Sequence, residues 1–351
     1  MKKITALFLI CFLLAPLSAG ASLDFNSEIK DIYNVYSLYL DSQWVALGWE
    51  YNVPSRQYRE TNLNSIGDIR MQATLATTYR FRADEEAKYK IKTAILNALG
   101  PDAPLVNNVP NGAGIYVSTR GFGDMIGLRL ALRLTKERSD VFSPSEQAQI
   151  ISQIKKAFPF ALMGYDNENR ALLSAAYGLS ILRDKNINFT EEEKNNYKPQ
   201  IENKIKIGLK AIDGQAVYRE GKNKKYSTHY HLVSAMALAY LGDQLPNPNY
   251  KTLAKKMLNY THQRYPLGKL DWRGSERPTG IGLQTVLLRA LGEKYLGNKR
   301  WQDYWETESL NRGFIDNDNL GRLAWRDEVD KTLNDDYSFM NMVELLMPEL
   351  N

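Results

Sequence analysis

The sequence predicts an all-α protein that folds as an incomplete α/α toroid, a helical barrel of paired inner and outer helices. Apolar residues recur at three- and four-residue spacing along most of the chain, and the alternating runs typical of strands are scarce. Apolar segments such as residues 171–182 alternate with charged ones such as residues 191–212, as expected when outer helices cover inner ones. No strict repeat and no low-complexity linker interrupts the chain, so we predict one domain over residues 22–351.

Capping patterns in the sequence mark where helices begin and end. Ser143 and Glu146 form a capping box with proline at the first helical position, since their side chains satisfy backbone N–H groups that a helix start leaves unpaired. Thr190 and Glu193 repeat the pattern, and Gly100 followed by proline ends an earlier helix. About eleven helices are predicted, over residues 29–47, 66–81, 83–99, 122–134, 144–157, 171–182, 191–212, 232–241, 250–262, 282–296 and 332–347.

Residues 1–21 are expected to be an export signal peptide. Lys2 and Lys3 precede an apolar stretch, and an A-x-A cleavage site stands before Ser22. No later stretch has the roughly 20 apolar residues of a membrane span, so we expect a periplasmic or secreted protein without a span. The single cysteine, Cys11, lies inside the signal, and its removal excludes disulfides and thiolate catalysis.

Composition and charge limit the classes of partner. With 44% hydrophobic and 24% charged residues, the chain has an ordinary globular composition, which excludes long disorder and fibrous repeats. The net charge is +5, and two of these charges lie in the predicted signal. An excess this small, without a concentrated basic face, argues against a nucleic-acid partner and leaves an acidic ligand open. The sequence does not indicate an oligomeric state.

The first stretch with chemical information is residues 165–170, Tyr-Asp-Asn-Glu-Asn-Arg, which leads into an apolar helix. Asn, Asp and Glu at a helix start are commonly caps for free backbone N–H groups. Alternatively, Asn169 and Arg170 face a cleft, where they could bind a sugar carboxylate. The sequence leaves both interpretations open.

The second stretch runs from a turn at residues 213–215 through Arg219 and Glu220 to a helix start containing His229, Tyr230 and His231. Two of the chain's three histidines flank this tyrosine. Histidine titrates near neutrality and nearby cations lower the pKa of a tyrosine, so this set, beside two lysines, could perform acid–base chemistry. A metal site and a helix start with packed aromatic residues are alternatives. The metal site is disfavoured because side chains two residues apart on a helix point in different directions, and because no cluster of carboxylates accompanies the two histidines.

Together the two stretches resemble the alginate lyases and related polysaccharide lyases, which have an incomplete α/α toroid. In that family an Asn-Asn-His stretch opens one inner helix, and a Tyr-His-Asn-Tyr stretch preceded by arginine opens a later one. Asn169 matches the second asparagine, and Arg170 stands where the family has histidine. The match covers roughly 90 of the 351 residues.

In the second motif, His229 matches the family's histidine. His231 falls at its last tyrosine, with Tyr230 one position earlier, and Lys224 lies near its arginine. The resemblance implies β-elimination from a uronate-containing polysaccharide without metal or organic cofactor. Asn169 and Arg170 would neutralise the substrate carboxylate, and Tyr230 or His231 would carry the proton.

Further residues are expected to bind substrate. Aromatic rings beside charged side chains commonly hold sugar faces and hydroxyls, and the loop at residues 271–277 has this composition. Most aromatic residues of a helical protein nevertheless lie in the core. The predicted substrate-binding residues are Arg219, Glu220, Lys224, Tyr226, Trp272, Arg273 and Glu276.

Two other functions fit the same sequence. An α/α-barrel glycoside hydrolase would use two carboxylates, for which Asp166, Glu168, Glu220, Asp271 and Glu276 are candidates. A non-catalytic periplasmic protein of an export system would use the same aromatic and basic loops only to bind polysaccharide.

Overall fold

The computed structural model describes residues 69–101, 103, 105–107, 121–164, 166–220 and 225–264, together with positions 30, 33, 34 and 37. These residues are mostly helical and contain almost no strand, which confirms the all-α prediction. The predicted signal at residues 1–21, the predicted helices at residues 282–296 and 332–347, and the loop at residues 271–277 lie outside the described residues.

Each element of the described part has defined bounds. The helices are α1 Ile69–Thr78, α2 Glu85–Ala98, α3 Phe122–Glu137, α4 Pro144–Met163, α5 Glu168–Leu182, α6 Glu191–Leu209, α7 Thr228–Gln244 and α8 Pro248–Arg264. Two short antiparallel strands, β1 Arg219–Glu220 and β2 Lys225–Tyr226, stand between α6 and α7. No helix among these residues is both long and apolar enough to cross a bilayer.

The helices form successive hairpins in two layers. Each of α1, α3, α5 and α7 packs against the helix that follows it, and α1 also packs against α3, α3 against α5, and α5 against α7. Residues 171–182 of α5 are all buried except Ser180, whereas α6 buries only Ile201, Lys204, Ile205 and Gly208. In the described part, an inner layer of α1, α3, α5 and α7 is thus covered by an outer layer of α2, α4, α6 and α8.

Contacts at both ends of α3 and α5 show that these two helices run in the same direction. Near their starts, the backbone N–H of Phe122 donates to the Asp166 carboxylate at 2.8 Å. Near their ends, Lys136 Nζ lies 2.9 Å from Asp184 Oδ2. The two helices are therefore parallel.

Helices α1 and α7, the first and last of the inner layer, run in the same direction as α3 and α5. Arg138, which follows α3, donates to the carbonyl of Arg80, which follows α1, at 2.9 Å. Arg183, which follows α5, donates to the side chain of Gln244 at the end of α7 at 3.2 Å. All four inner helices consequently begin at one end of the described structure, which we call the mouth end, and finish at the opposite end, the far end.

A glycine permits the close approach of α1 and α3 near the mouth end. A Cβ atom at Gly127 would lie 2.7 Å from the backbone of Ile69 and Arg70. Only a residue without a side chain allows the start of α1 to pack directly on the second turn of α3.

The capping predictions are confirmed, and several helix boundaries are corrected. Ser143 and Thr190 each form the complete capping box. The predicted end of α4 at residue 157 is wrong, because the helix continues through Pro159 to Met163, with Phe158 and Leu162 buried in the core. Helices α5 and α7 begin earlier than the apolar pattern indicated, since their first turns are polar.

Candidate functional site

The two stretches singled out in the sequence lie at the same end of the structure. Asn169 and Arg170 are in the first turn of α5, and residues 229–231 are in the first turn of α7. These helices are neighbours that run in the same direction. Convergence of the side chains on one cleft stays a prediction, because those of Asn169 and His229 lie outside the described structure.

Arg170 crosses from α5 toward α3. Its guanidinium carbon lies 5.8 Å from the centroid of the Phe122 ring, and both side chains are partly buried. Within the described part of the chain, no carboxylate pairs with Arg170. A guanidinium held on an aromatic ring but without an acidic partner can still bind an anionic ligand through its N–H donors.

Asp166 does not serve as a cleft carboxylate. One carboxylate oxygen accepts the N–H of Phe122 at 2.8 Å, and the other contacts the ammonium group of Lys204. Lys204 also donates to the carbonyl of Gly164 at 2.9 Å. Only 1% of the Asp166 side chain is exposed, so its candidacy as a hydrolase acid or base is withdrawn. The N-cap residue of α5, Asn167, makes no side-chain capping bond, and Asp166 instead caps the neighbouring helix α3.

The turn after α6 is built on Asp213. Its Oδ1 accepts the N–H groups of Gln215 and Val217, each at 2.9 Å, and its Oδ2 accepts from Arg219 Nε at 3.0 Å. Partial burial raises the pKa of Asp213, but the Val217 N–H, Arg219 and the Gln215 N–H outweigh burial and leave that pKa below its usual value. Arg219, expected to bind substrate, is thus an ion-pair partner that fixes this turn.

His231 is buried in the core, which corrects its proposed role as a proton carrier. Its Nδ1 accepts the backbone N–H of Tyr218 at 3.1 Å, which assigns the ring proton to Nε2, and Nε2 donates to the carbonyl of Met257 at 2.8 Å. Burial lowers the pKa of His231 to about 4, against the opposing effect of the Met257 bond. Both ring nitrogens are hydrogen-bonded to the backbone, so neither is available to a substrate.

Tyr226, another expected substrate contact, is also buried. Only 4% of it is exposed. Its ring lies 5.4 Å from that of His231 and 5.7 Å from that of Tyr260, and the Arg264 guanidinium lies 4.5 Å from its centroid. This cluster attaches β2 to α7 and α8, which is a structural role.

Tyr230 remains the acid–base candidate whose side chain the structure describes. It is partly buried in the first turn of α7, where Ser227 accepts its N–H at 3.5 Å. Its ring packs 6.0 Å from that of Tyr218. Glu220 lies in β1 with its side chain undescribed, and Lys224, Trp272, Arg273 and Glu276 lie outside the described residues.

The described residues bear on two further kinds of site, a metal centre and a surface depression. They contain no group of three or more histidine, cysteine or acidic side chains placed to hold a metal ion. An open depression of about 510 Å³, lined in part by Leu245, Lys251 and Lys255, lies where α7 turns into α8 at the far end, away from both stretches.

Sequence reasoning missed Phe122 and Lys204. Neither belongs to a local pattern, because their contacts with Arg170 and Asp166 join distant parts of the chain. Comparison of the chain with family models, with curated proteins and with solved structures found no match. The resemblance to alginate lyases therefore rests on the quoted residues alone.

Proposed function

We propose that this protein is an exported polysaccharide lyase that cleaves a uronate-containing polysaccharide by β-elimination at the mouth end. The observation that supports this most is the position of Arg170. It is a partly buried guanidinium at the start of an inner helix, next to the start of α3, with no acidic partner among the described residues.

The backbone adds to the attraction of an anion. The start of an α-helix carries a partial positive charge from its aligned peptide dipoles, and negative groups are stabilised there. Four parallel inner helices begin at the mouth end. Asp166, which accepts the first N–H of α3, is already paired with Lys204, whereas Asp124 and Glu168 add acidic side chains in the first turns of α3 and α5. A carboxylated sugar is therefore favoured by Arg170 together with the helix starts.

The chemistry assigned to the site follows from the residue types. Asn169 and Arg170 neutralise the uronate carboxylate, which makes the α proton acidic enough to remove and stabilises the enediolate that forms. Tyr230 abstracts that proton, the bond from the sugar to the glycosidic oxygen breaks, and a carbon–carbon double bond forms. Tyr230 or the neighbouring His229 returns a proton to the leaving oxygen. His231 has no part in these steps, because it is buried.

A panel of acidic polysaccharides tests the proposal. Purified protein is incubated with alginate, polygalacturonate and hyaluronan, and products are followed by ultraviolet absorbance and by a reducing-end assay. A lyase yields the absorbance of an unsaturated uronate on at least one polymer. Reducing ends without this absorbance indicate a hydrolase, and retention without products indicates a binding protein; either result contradicts the proposal.

A further inference from the structure

Helices α3 and α5 are joined by charged side chains at both ends, and the two links differ in burial. At the far end, Lys136 pairs with Asp184, and 41% of the lysine side chain is exposed. At the mouth end, Asp166 and Lys204 have only 1% and 7% of their side chains exposed. The mouth-end link is thus almost completely removed from water.

The mouth-end link joins three separate segments. Asp166 precedes α5, Lys204 belongs to α6, and the N–H that Asp166 accepts belongs to Phe122, the first residue of α3. The backbone before α3 is shaped around the carboxylate: Gly121 has φ of +107°, and a Cβ atom there would lie 2.9 Å from both carboxylate oxygens.

Stability alone is a weak explanation for such a pair. Removing two charges from water costs free energy that their attraction often fails to recover, and apolar replacements of similar volume are commonly tolerated. The geometry indicates another use. Asp166 holds the backbone of Phe122 and lies four residues before Arg170, whose guanidinium carbon lies 5.8 Å from the centroid of the Phe122 ring.

We propose that Asp166, held by Lys204, is a positioning residue that fixes Arg170 against the start of α3 and so sets the geometry of the carboxylate site. That this site binds a carboxylate rests on the proposed function, whereas the placement of Arg170 by Asp166 does not. Because Asp166 acts through a hydrogen-bond acceptor, an asparagine at this position can preserve the placement and a leucine cannot.

The first experiment measures the placement without any ligand. The parent protein and three double variants are labelled with 15N at arginine Nε and compared by NMR, and the Arg170 signal is assigned with Arg170→Lys. The variants are Asp166→Leu/Lys204→Met, Asp166→Asn/Lys204→Met and the far-end control Asp184→Asn/Lys136→Met. We expect the signal to move in the leucine variant only. An unmoved signal in that variant, movement in the far-end control, or loss of helicity in the leucine variant would overturn the positioning role.

The second experiment measures binding of an oligouronate by calorimetry on the same proteins. The leucine variant should bind about tenfold or more weakly, since small misplacements of a binding group are costly, while the asparagine and far-end variants bind as the parent does. Equal binding by all four proteins contradicts the proposal. If the parent protein binds no uronate, the proposed function fails, and the NMR result alone decides whether Asp166 positions Arg170.

Discussion

At the scale of single residues, the two members of the Tyr230-His231 pair have separate roles. Tyr230 is partly buried at the helix start, and His231 is fully buried with both nitrogens bonded to the backbone. Tyr230→Phe should lower turnover by about 10²-fold, the usual scale for losing general acid–base help, while the unfolding midpoint stays unchanged. Steady-state kinetics and thermal unfolding check this, with Tyr250→Phe, at the start of α8, as the matched control. Unchanged turnover in Tyr230→Phe would remove this tyrosine from the mechanism.

His231→Ala should act on stability. The substitution leaves the Tyr218 N–H and the Met257 carbonyl without a partner and opens a cavity, so we expect a loss of about 2–4 kcal/mol in the free energy of unfolding. Urea denaturation of His231→Ala beside Tyr230→Phe measures the difference. A His231→Ala protein that keeps its stability but loses turnover would restore the original acid–base assignment.

The pH dependence of stability provides a second test of His231. Burial lowers its folded-state pKa to about 4, below the value near 6.5 of an unfolded histidine. The unfolded chain therefore binds the proton first, and the stabilisation present above pH 6.5 is lost as the pH falls toward 4. The loss amounts to about 3 kcal/mol. Urea denaturation between pH 7 and 4 should show a steeper decline for the parent protein than for His231→Ala, and equal slopes would contradict the assigned burial.

At the scale of elements, the local predictions were the accurate ones. A capping box depends on residues three apart, so the sequence contains all of its information, and both boxes are present. Ser143→Ala and Thr190→Ala should each lower the free energy of unfolding by about 1 kcal/mol. Ser143→Asn, which retains a capping side chain, is the control. Equal losses in Ser143→Ala and Ser143→Asn would show that the cap contributes little.

Contacts between distant elements were not predictable in this way. Lys204 and Asp166 are far apart in the sequence, and no spacing rule joins them. The burial of His231 did leave a signal, because His231, Ala235 and Leu238 follow helical spacing and all three are fully buried. The apolar neighbours of His231 thus indicated a core position, although its residue type suggested chemistry.

At the scale of the whole molecule, the sequence predicted the helical class and the pairing of inner with outer helices. The described residues confirm the helical class, because the period of apolar residues reports directly which face of a helix is buried, and their helices pack in successive pairs. Closure of the hairpins into an incomplete toroid stays a prediction. Export also stays a prediction: mass spectrometry of periplasmic protein should find Ser22 at the N-terminus, and an intact residue 1–21 segment in that fraction would contradict it.

The central claim is that the mouth end binds a carboxylated sugar through Arg170. The most direct measurement compares Arg170→Ala with Arg183→Ala, a control just beyond the far end of the same helix, where Arg183 bonds to Gln244. Arg170→Ala should weaken oligouronate binding and turnover about tenfold or more, the scale for losing one charge-assisted hydrogen bond, and Arg183→Ala should leave both unchanged. Equal effects of the two substitutions, or uronate binding that survives Arg170→Ala, would contradict the account.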